Sequence, residues 1–264
     1  MSITIQGKVY SAIIFDVDDT LVDTSKSYDI AIKRTVKHHT GIEVTDLDID
    51  LVRSDGIDYG ANNDWNVTWL LIQLSKNYPQ EQWYTILQTK KIAKIDDQTT
   101  EYVAMQDFFQ EIYLGNPYFN GQGLIDTSEK KLYSDEFFPT LKKSGVKIGV
   151  VTSRPAMEAS YTLQQVNNLI GSFIQEDLVI SFGSKNTAGK LITEKPNPDP
   201  ILECLHRMQI ESAIYVGNSA SDYIAARNAN VDFIQVGTSQ INRTNNNLTY
   251  IKLNNVNDIL GILN

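Results

Sequence analysis

The chain has 264 residues, of which 42% are hydrophobic and 21% charged, ordinary values for a soluble globular protein that exclude disorder, collagen-like repeats and a coiled coil. Lys and Arg total 23 against 32 Asp and Glu, a formal charge of -9, so the overall field repels nucleic acid and anionic membranes and neither is an expected partner. The single cysteine, Cys204, has no mate for a disulfide or a thiolate cluster and reads as a buried thiol. No window approaches the roughly 18 consecutive apolar residues of a membrane span, and the N-terminal stretch lacks the cleavage region of a signal peptide, so the expected location is the cytoplasm.

The first element in the chain is Ser11-Ala12-Ile13-Ile14-Phe15-Asp16, an apolar run that stops abruptly in carboxylates. That pattern suits a strand buried on both faces of a parallel sheet. From about residue 24 to 131 the pattern changes to long amphipathic segments. Ser25 is expected to cap a helix that runs to His39 and closes at Gly41, and Asp64 to cap one over 65–76; residues 80–93 and 98–113 supply two more. Trp65, Trp69 and Leu70 fall at helical spacing and are read as core of this region. Gly115-Asn116-Pro117 and Gly121-Gln122-Gly123 end it. Helices are then expected over 135–143 (closed by Gly145), 155–169, 198–208 and 221–228. They alternate with apparent strands over 146–151, 213–216 and 231–236, which stop at Thr152, Gly217 and Gly237. This rhythm predicts a doubly wound parallel α/β sheet built from residues 1–23 and 132–264, with a mostly helical insertion over 24–131. Residues 242–247, rich in Asn, read as a solvated surface loop.

The densest chemical signal is Asp16-Val17-Asp18-Asp19-Thr20, directly after the first strand. Alone, such a run also suits an acidic turn with Asp19 as a cap. Carboxylates this close repel and raise one another's pKa unless a cation or a proton relieves them. Mg²⁺ takes a few carboxylate oxygens together with water and substrate phosphate, and is the expected cofactor. His38 and His39, adjacent on a helix, point about 100° apart and do not form a ligand pair; with His206 they are read as structural or solvated.

Four features follow in order: DVDDT with Leu21-Val22, the strand ending at Thr152, Lys195-Pro196-x-Pro198, and the late strand followed by Gly217-x-x-x-x-Asp222. Together they resemble the haloacid dehalogenase superfamily of phosphohydrolases over nearly the whole chain. The resemblance implies a Rossmann-like core with an inserted cap domain that selects the substrate. It makes Asp16 the nucleophile that forms an aspartyl-phosphate, and Asp18 the general acid and base. Thr152 and Ser153 become phosphate-binding residues, and Lys195 the cation that stabilises both nucleophile and phosphoryl oxygens. The metal would be held by the Asp16 carboxylate, the Asp18 main-chain carbonyl and the last motif, Asn218 and Asp222. The implied activity is phosphomonoester hydrolysis on a small phosphorylated metabolite. Dehalogenation is disfavoured, because Asp18 and Thr20 are the phosphotransferase choice at their positions.

One position departs from the family pattern. Asn218 stands where the family commonly has an acid directly after the glycine, and an amide oxygen ligates Mg²⁺ without adding charge, so weaker metal binding is expected. This keeps a catalytically weak ligand-binding or regulatory protein as one alternative; a sugar-phosphate mutase of the same superfamily, which shares the core motifs, is another. In the insertion, the loop 55–65 with Asn62 and Asn63 offers uncharged donors and acceptors to a substrate, or merely caps a helix. The chain resembles a branch of the superfamily in which some members are fused to histidine-biosynthesis enzymes, which makes histidinol phosphate one candidate substrate.

Overall fold

In the computed structural model, residues 2–61, 63–115, 122–242 and 247–263 are described. Asn62, most of the Gly/Pro breaks at 115–123 and most of the Asn-rich stretch at 242–247 lie outside them. The chain divides into two compact units, Thr24–Glu129 and Met1–Asp23 with Lys130–Asn264.

The first unit is helical: α1 (Tyr28–Thr40), α2 (Asp46–Asp55), α3 (Asp64–Asn77), α4 (Trp83–Gln88), α5 (Thr100–Leu114) and the short α6 (Leu124–Thr127). Helix α1 packs on α3 and α5, burying Ile32 and Val36 with Leu70, Leu71, Leu74, Met105 and Phe109. Gly41 closes α1 in the left-handed conformation, as its position predicts. The N-termini differ from expectation. Helix α1 begins after Ser27 rather than Ser25, and α3 is capped by Asn63, whose side chain accepts from the Trp65 amide, so Asp64 is already helical. The helix expected over 80–93 breaks into a 3₁₀ turn and the six-residue α4. Trp65 and Trp69 are only half-buried while Leu70 is fully buried, so the apolar stripe is narrower than the aromatic spacing suggests.

The second unit holds a six-stranded parallel sheet in the order β10-β9-β8-β3-β6-β7. Its strands are β3 (Ala12–Phe15), β6 (Lys147–Pro155), β7 (Val179–Phe182), β8 (Ala213–Gly217), β9 (Asp232–Val236) and β10 (Tyr250–Leu253). An N-terminal hairpin, β1 (Ile3–Ile5) with β2 (Lys8–Tyr10), turns through Gln6 and Gly7, both at positive φ as a type I′ turn requires. A short antiparallel ribbon pairs β4 (Val22–Asp23) with β5 (Lys130–Lys131).

The sheet is covered on both faces, which is why β3 is a continuous apolar run. Ile13 and Phe15 join Ile148, Val150 and Val216 beneath α7 (Phe137–Ser144), with Phe15 edge-on to Phe137 and Phe138. Ala12 and Ile14 face the other way, toward Ile201, Cys204 and Met208 of α9 (Asp199–Met208) and Ala225 and Ala226 of α10 (Ala220–Asn228). Cys204 is the buried thiol expected from the sequence, its pKa pushed up to about 12 chiefly by burial. This is a doubly wound, Rossmann-like α/β core.

Two segments correct the expected pattern. Strand β6 does not stop at Thr152 but runs to Pro155 through a register shift after Val151. Beyond it, the single helix expected over 155–169 is the five-residue α8 (Ala156–Ser160) followed by a π-helical turn, Tyr161–Val166. Among the described residues no helix is long and apolar enough to cross a membrane. The chain leaves β3 for β6 and β7 on one side and returns to β8, β9 and β10 on the other. The crevice outside the carboxyl ends at this reversal is where open α/β sheets bind ligands.

Candidate active site

Strand β3 delivers Asp16 to that crevice, buried at 5% exposure, with its amide bound to the Val216 carbonyl at 2.9 Å. The loop after it is wound tightly. The Val17 carbonyl accepts from the amides of Thr20, Leu21 and Val22, and Asp19 takes a positive φ of 51° to make the turn. Asp18 therefore stands on a fixed loop, with about a third of its side chain exposed.

From the neighbouring loop, Lys195 places its ammonium 2.7 Å from Asp16 Oδ1 and 2.6 Å from Asp222 Oδ1. The same Nζ lies 3.2 Å from the Tyr215 hydroxyl and 3.5 Å from the Val151 carbonyl, so every ammonium proton has an acceptor. Asp222 is fully buried in the first turn of α10. Its Oδ2 accepts from the Ser219 hydroxyl at 2.6 Å and the Ser219 amide at 3.0 Å, closing a capping box. A Cβ on Gly217 would come within 2.6 Å of the Asp222 side chain, so the glycine is what lets this carboxylate lie against the end of β8.

Burial opposes the charge on Lys195, but Asp16 and Asp222 outweigh it and hold the ammonium well above its ordinary pKa. Asp222 is likewise penalised by burial, yet Lys195 and Ser219 bring it below the usual carboxylate value. Asp16 goes the other way. Burial, then the charge of Asp222, push it up to about 8 despite Lys195. One cation thus serves two buried carboxyl groups, and the raised pKa of Asp16 is the consequence of sharing it.

The sequence-derived residues fall as follows. Asp16, Lys195 and Asp222 meet in one buried cluster, and Thr152 sits nearly buried at the bulge of β6, where its Oγ1 accepts from the Arg154 amide at 3.1 Å. Ser153 is exposed and Asn218 half-buried; neither side chain has a hydrogen bond among the described residues. Asn63 belongs to the helical unit, where it caps α3, and Asn62 lies outside the described residues. No three Asp, Glu, His or Cys side chains among the described residues converge into a ready metal cluster. The available donors are hard oxygens, from Asp16, Asp18 and the Asn218 amide, and that chemistry fits Mg²⁺. Asp222, by contrast, has both oxygens engaged by protein partners.

Two members of the site were not singled out from the sequence. Tyr215 looks like one more core residue of β8, but its hydroxyl also lies 3.1 Å from Asp222 Oδ1 and 3.2 Å from the Val151 carbonyl. Burial first, then the Asp222 charge, keep that phenol neutral. Arg154 follows Thr152 by two residues and donates to Asp18 Oδ1 at 2.6 Å. Its only sequence signal was an arginine inside an apolar strand-to-helix junction.

The model of the haloacid dehalogenase-like hydrolases matches residues 10–230, which spans every residue of this cluster. The chain belongs to that family. This hydrolase is 28% identical over 83% of its length to an imidazoleglycerol-phosphate dehydratase of Phytophthora nicotianae, and it spans only 41% of that protein. It is 26% identical over 84% of its length to a phosphoglycolate phosphatase of Colwellia psychrerythraea, covering 82% of that chain. In fold it matches phosphatase Tt82 of Thermococcus thioreducens, with a TM-score of 0.62 at 20% identity over 94% of this chain and 97% of that one. The family is one of hydrolases, and the relative from Colwellia psychrerythraea bears the name of a phosphatase.

Proposed function

We propose that this hydrolase cleaves a small phosphorylated metabolite, a phosphomonoester, through an aspartyl-phosphate on Asp16. The observation that carries the reading is the buried Asp16–Lys195–Asp222 cluster at the carboxyl end of the central strand, with Asp18 two residues beyond Asp16. Lys195 occupies Asp16 Oδ1, and Oδ2 has no hydrogen bond among the described residues, so Oδ2 is the attacking atom. It bonds to phosphorus as the bond from phosphorus to the leaving alcohol oxygen breaks, and Asp18 gives that oxygen its proton. Asp18 then takes a proton from water as the water oxygen attacks phosphorus, releasing inorganic phosphate and restoring Asp16. Thr152, its hydroxyl oriented by the Arg154 amide, donates to a phosphoryl oxygen, and Lys195 faces the negative charge that grows on the transferring group.

Mg²⁺, when bound, would supply positive charge that favours the ionised form of Asp16 and offsets charge on the phosphoryl oxygens. The Asp16 carboxylate, the Asp18 main-chain carbonyl and the Asn218 amide would hold it, with Asp222 adding charge from behind Lys195. The raised pKa of Asp16 and the unpaired Asn218 amide support this set.

The test is phosphate release from a panel of phosphomonoesters, including histidinol phosphate and phosphoglycolate, with Mg²⁺ and with chelator. Chelator-sensitive release is expected, concentrated on one chemical class. Asp16→Asn should remain folded and lose about a thousandfold or more of the activity. Full activity in that variant would overturn the nucleophile. Isomerisation that requires a bisphosphate activator would indicate a mutase instead, and silence across the panel a binding protein.

A further inference from the structure

Arg154 is a buried cation that the reaction as written does not use. It is 1% exposed, although a guanidinium has five N–H donors that burial leaves nowhere to go but to protein. Its Nε and Nη2 both lie 2.6 Å from one oxygen, Asp18 Oδ1, and its Nη1 lies 2.6 Å from Thr162 Oγ1. Asp18 Oδ2 is left without a hydrogen bond among the described residues. Thr162 is itself buried, and it sits in the π-helical turn that interrupts the helix after β6. Such single π turns inside helices are uncommon and concentrate at functional sites. The bulge after Val151 has the matching effect on the strand side, re-aiming the residues between Val151 and Pro155, Arg154 among them. Two departures from regular structure thus converge on one side chain that holds both Asp18 and Thr162.

We infer that Arg154 is a positioning residue, braced by Thr162, that holds Asp18 by Oδ1 so that Oδ2 is presented as the proton-carrying atom. Two donors of one rigid guanidinium converging on Oδ1 pin that oxygen more closely than a single flexible lysine ammonium would. The inference rests on the reading of Asp18 as general acid, and it commits to how that acid is aimed.

The experiment compares kcat/KM for an alkyl phosphate and for p-nitrophenyl phosphate, because this ratio covers only the steps through transfer to Asp16. The alkyl alcohol needs a proton to leave and nitrophenolate does not. Arg154→Lys should therefore lower kcat/KM on the alkyl ester by about a hundredfold, the order expected when a catalytic group is misplaced by an ångström. The loss on the nitrophenyl ester should be at least ten times smaller. Thr162→Val should shift the two values in the same direction by a smaller factor, and Thr162→Ser, which keeps the hydroxyl, should restore the wild-type ratio. In an Asp18→Asn background, Arg154→Lys should add little further loss. Equal losses on both esters in a folded Arg154→Lys protein would overturn the inference and make Arg154 structural. If Arg154→Lys does not fold, an unchanged ester ratio in folded Thr162→Val overturns it equally. Failure of the phosphatase reading looks different: the wild-type enzyme would then release phosphate from neither ester, and the inference would fall with it.

Discussion

The two ends of the same parallel sheet each bury an aspartate against a lysine, and they settle the charge differently. At the amino end of β9, Asp232 accepts from the Tyr10 hydroxyl at 2.8 Å, the Thr249 amide at 2.6 Å and Lys8 at 3.1 Å, and Lys8 is half exposed to water. Both carboxylate oxygens have donors. At the carboxyl end, one buried lysine is divided between Asp16 and Asp222, and Asp16 keeps a raised pKa. The first arrangement is a finished structural tie. The second is held out of balance by the fold, and imbalance of that kind marks groups kept ready for a ligand or a reaction.

The sharpest way to break this comparison is to remove the lysine from each end. Lys195→Met should abolish turnover and cost about 3–5 kcal/mol of stability, because it leaves two buried carboxylates facing each other. Lys8→Met should cost less than about 1 kcal/mol, as expected of a half-exposed pair, and leave kcat within error. Urea unfolding and phosphate release on the two variants would decide it, and equal stability losses would mean the two ends are energetically alike. A smaller effect sharpens the same point from the metal's side. Asn218→Asp should lower the Mg²⁺ concentration for half-maximal activity by about tenfold, since ligand charge tunes affinity for hard cations. In chelator the same variant should melt slightly lower, because it adds a carboxylate where two carboxyl groups already share one lysine. An unchanged Mg²⁺ titration would remove position 218 from the metal site.

How much of this was legible in the sequence follows from the same physics. Strands β3, β8 and β9 are buried on both faces and announce themselves as apolar runs, whereas β7 and β10 are four-residue edge strands with half-exposed positions and gave no such signal. Asp16, Thr152, Lys195 and Asp222 were singled out through motif order, and the structure brings Asp16, Lys195 and Asp222 together. Tyr215 was invisible because a strand tyrosine is ordinary core until the neighbouring strand end shows what its hydroxyl touches. Arg154 was hidden by the bulge and the π turn, two irregularities that periodicity cannot report.

The smallest expected effect concerns the helical unit. Asn63 caps α3, so Asn63→Ala should cost about 1 kcal/mol, while Asn63→Ser should keep the cap. If Asn63 also selects substrate, both variants should lose activity on the physiological ester relative to an aryl phosphate. Loss in the alanine variant alone would leave it only the capping role.

The ribbon of β4 and β5 bears on ancestry as well as architecture. Asp23 and Lys130 are register partners, so the 106 residues between them begin and end at neighbouring points of the core. A segment rooted this way can be lengthened, shortened or exchanged for another without moving a single pairing of the main sheet. The core can then keep one chemistry through evolution while its insertion is rewritten for new molecules.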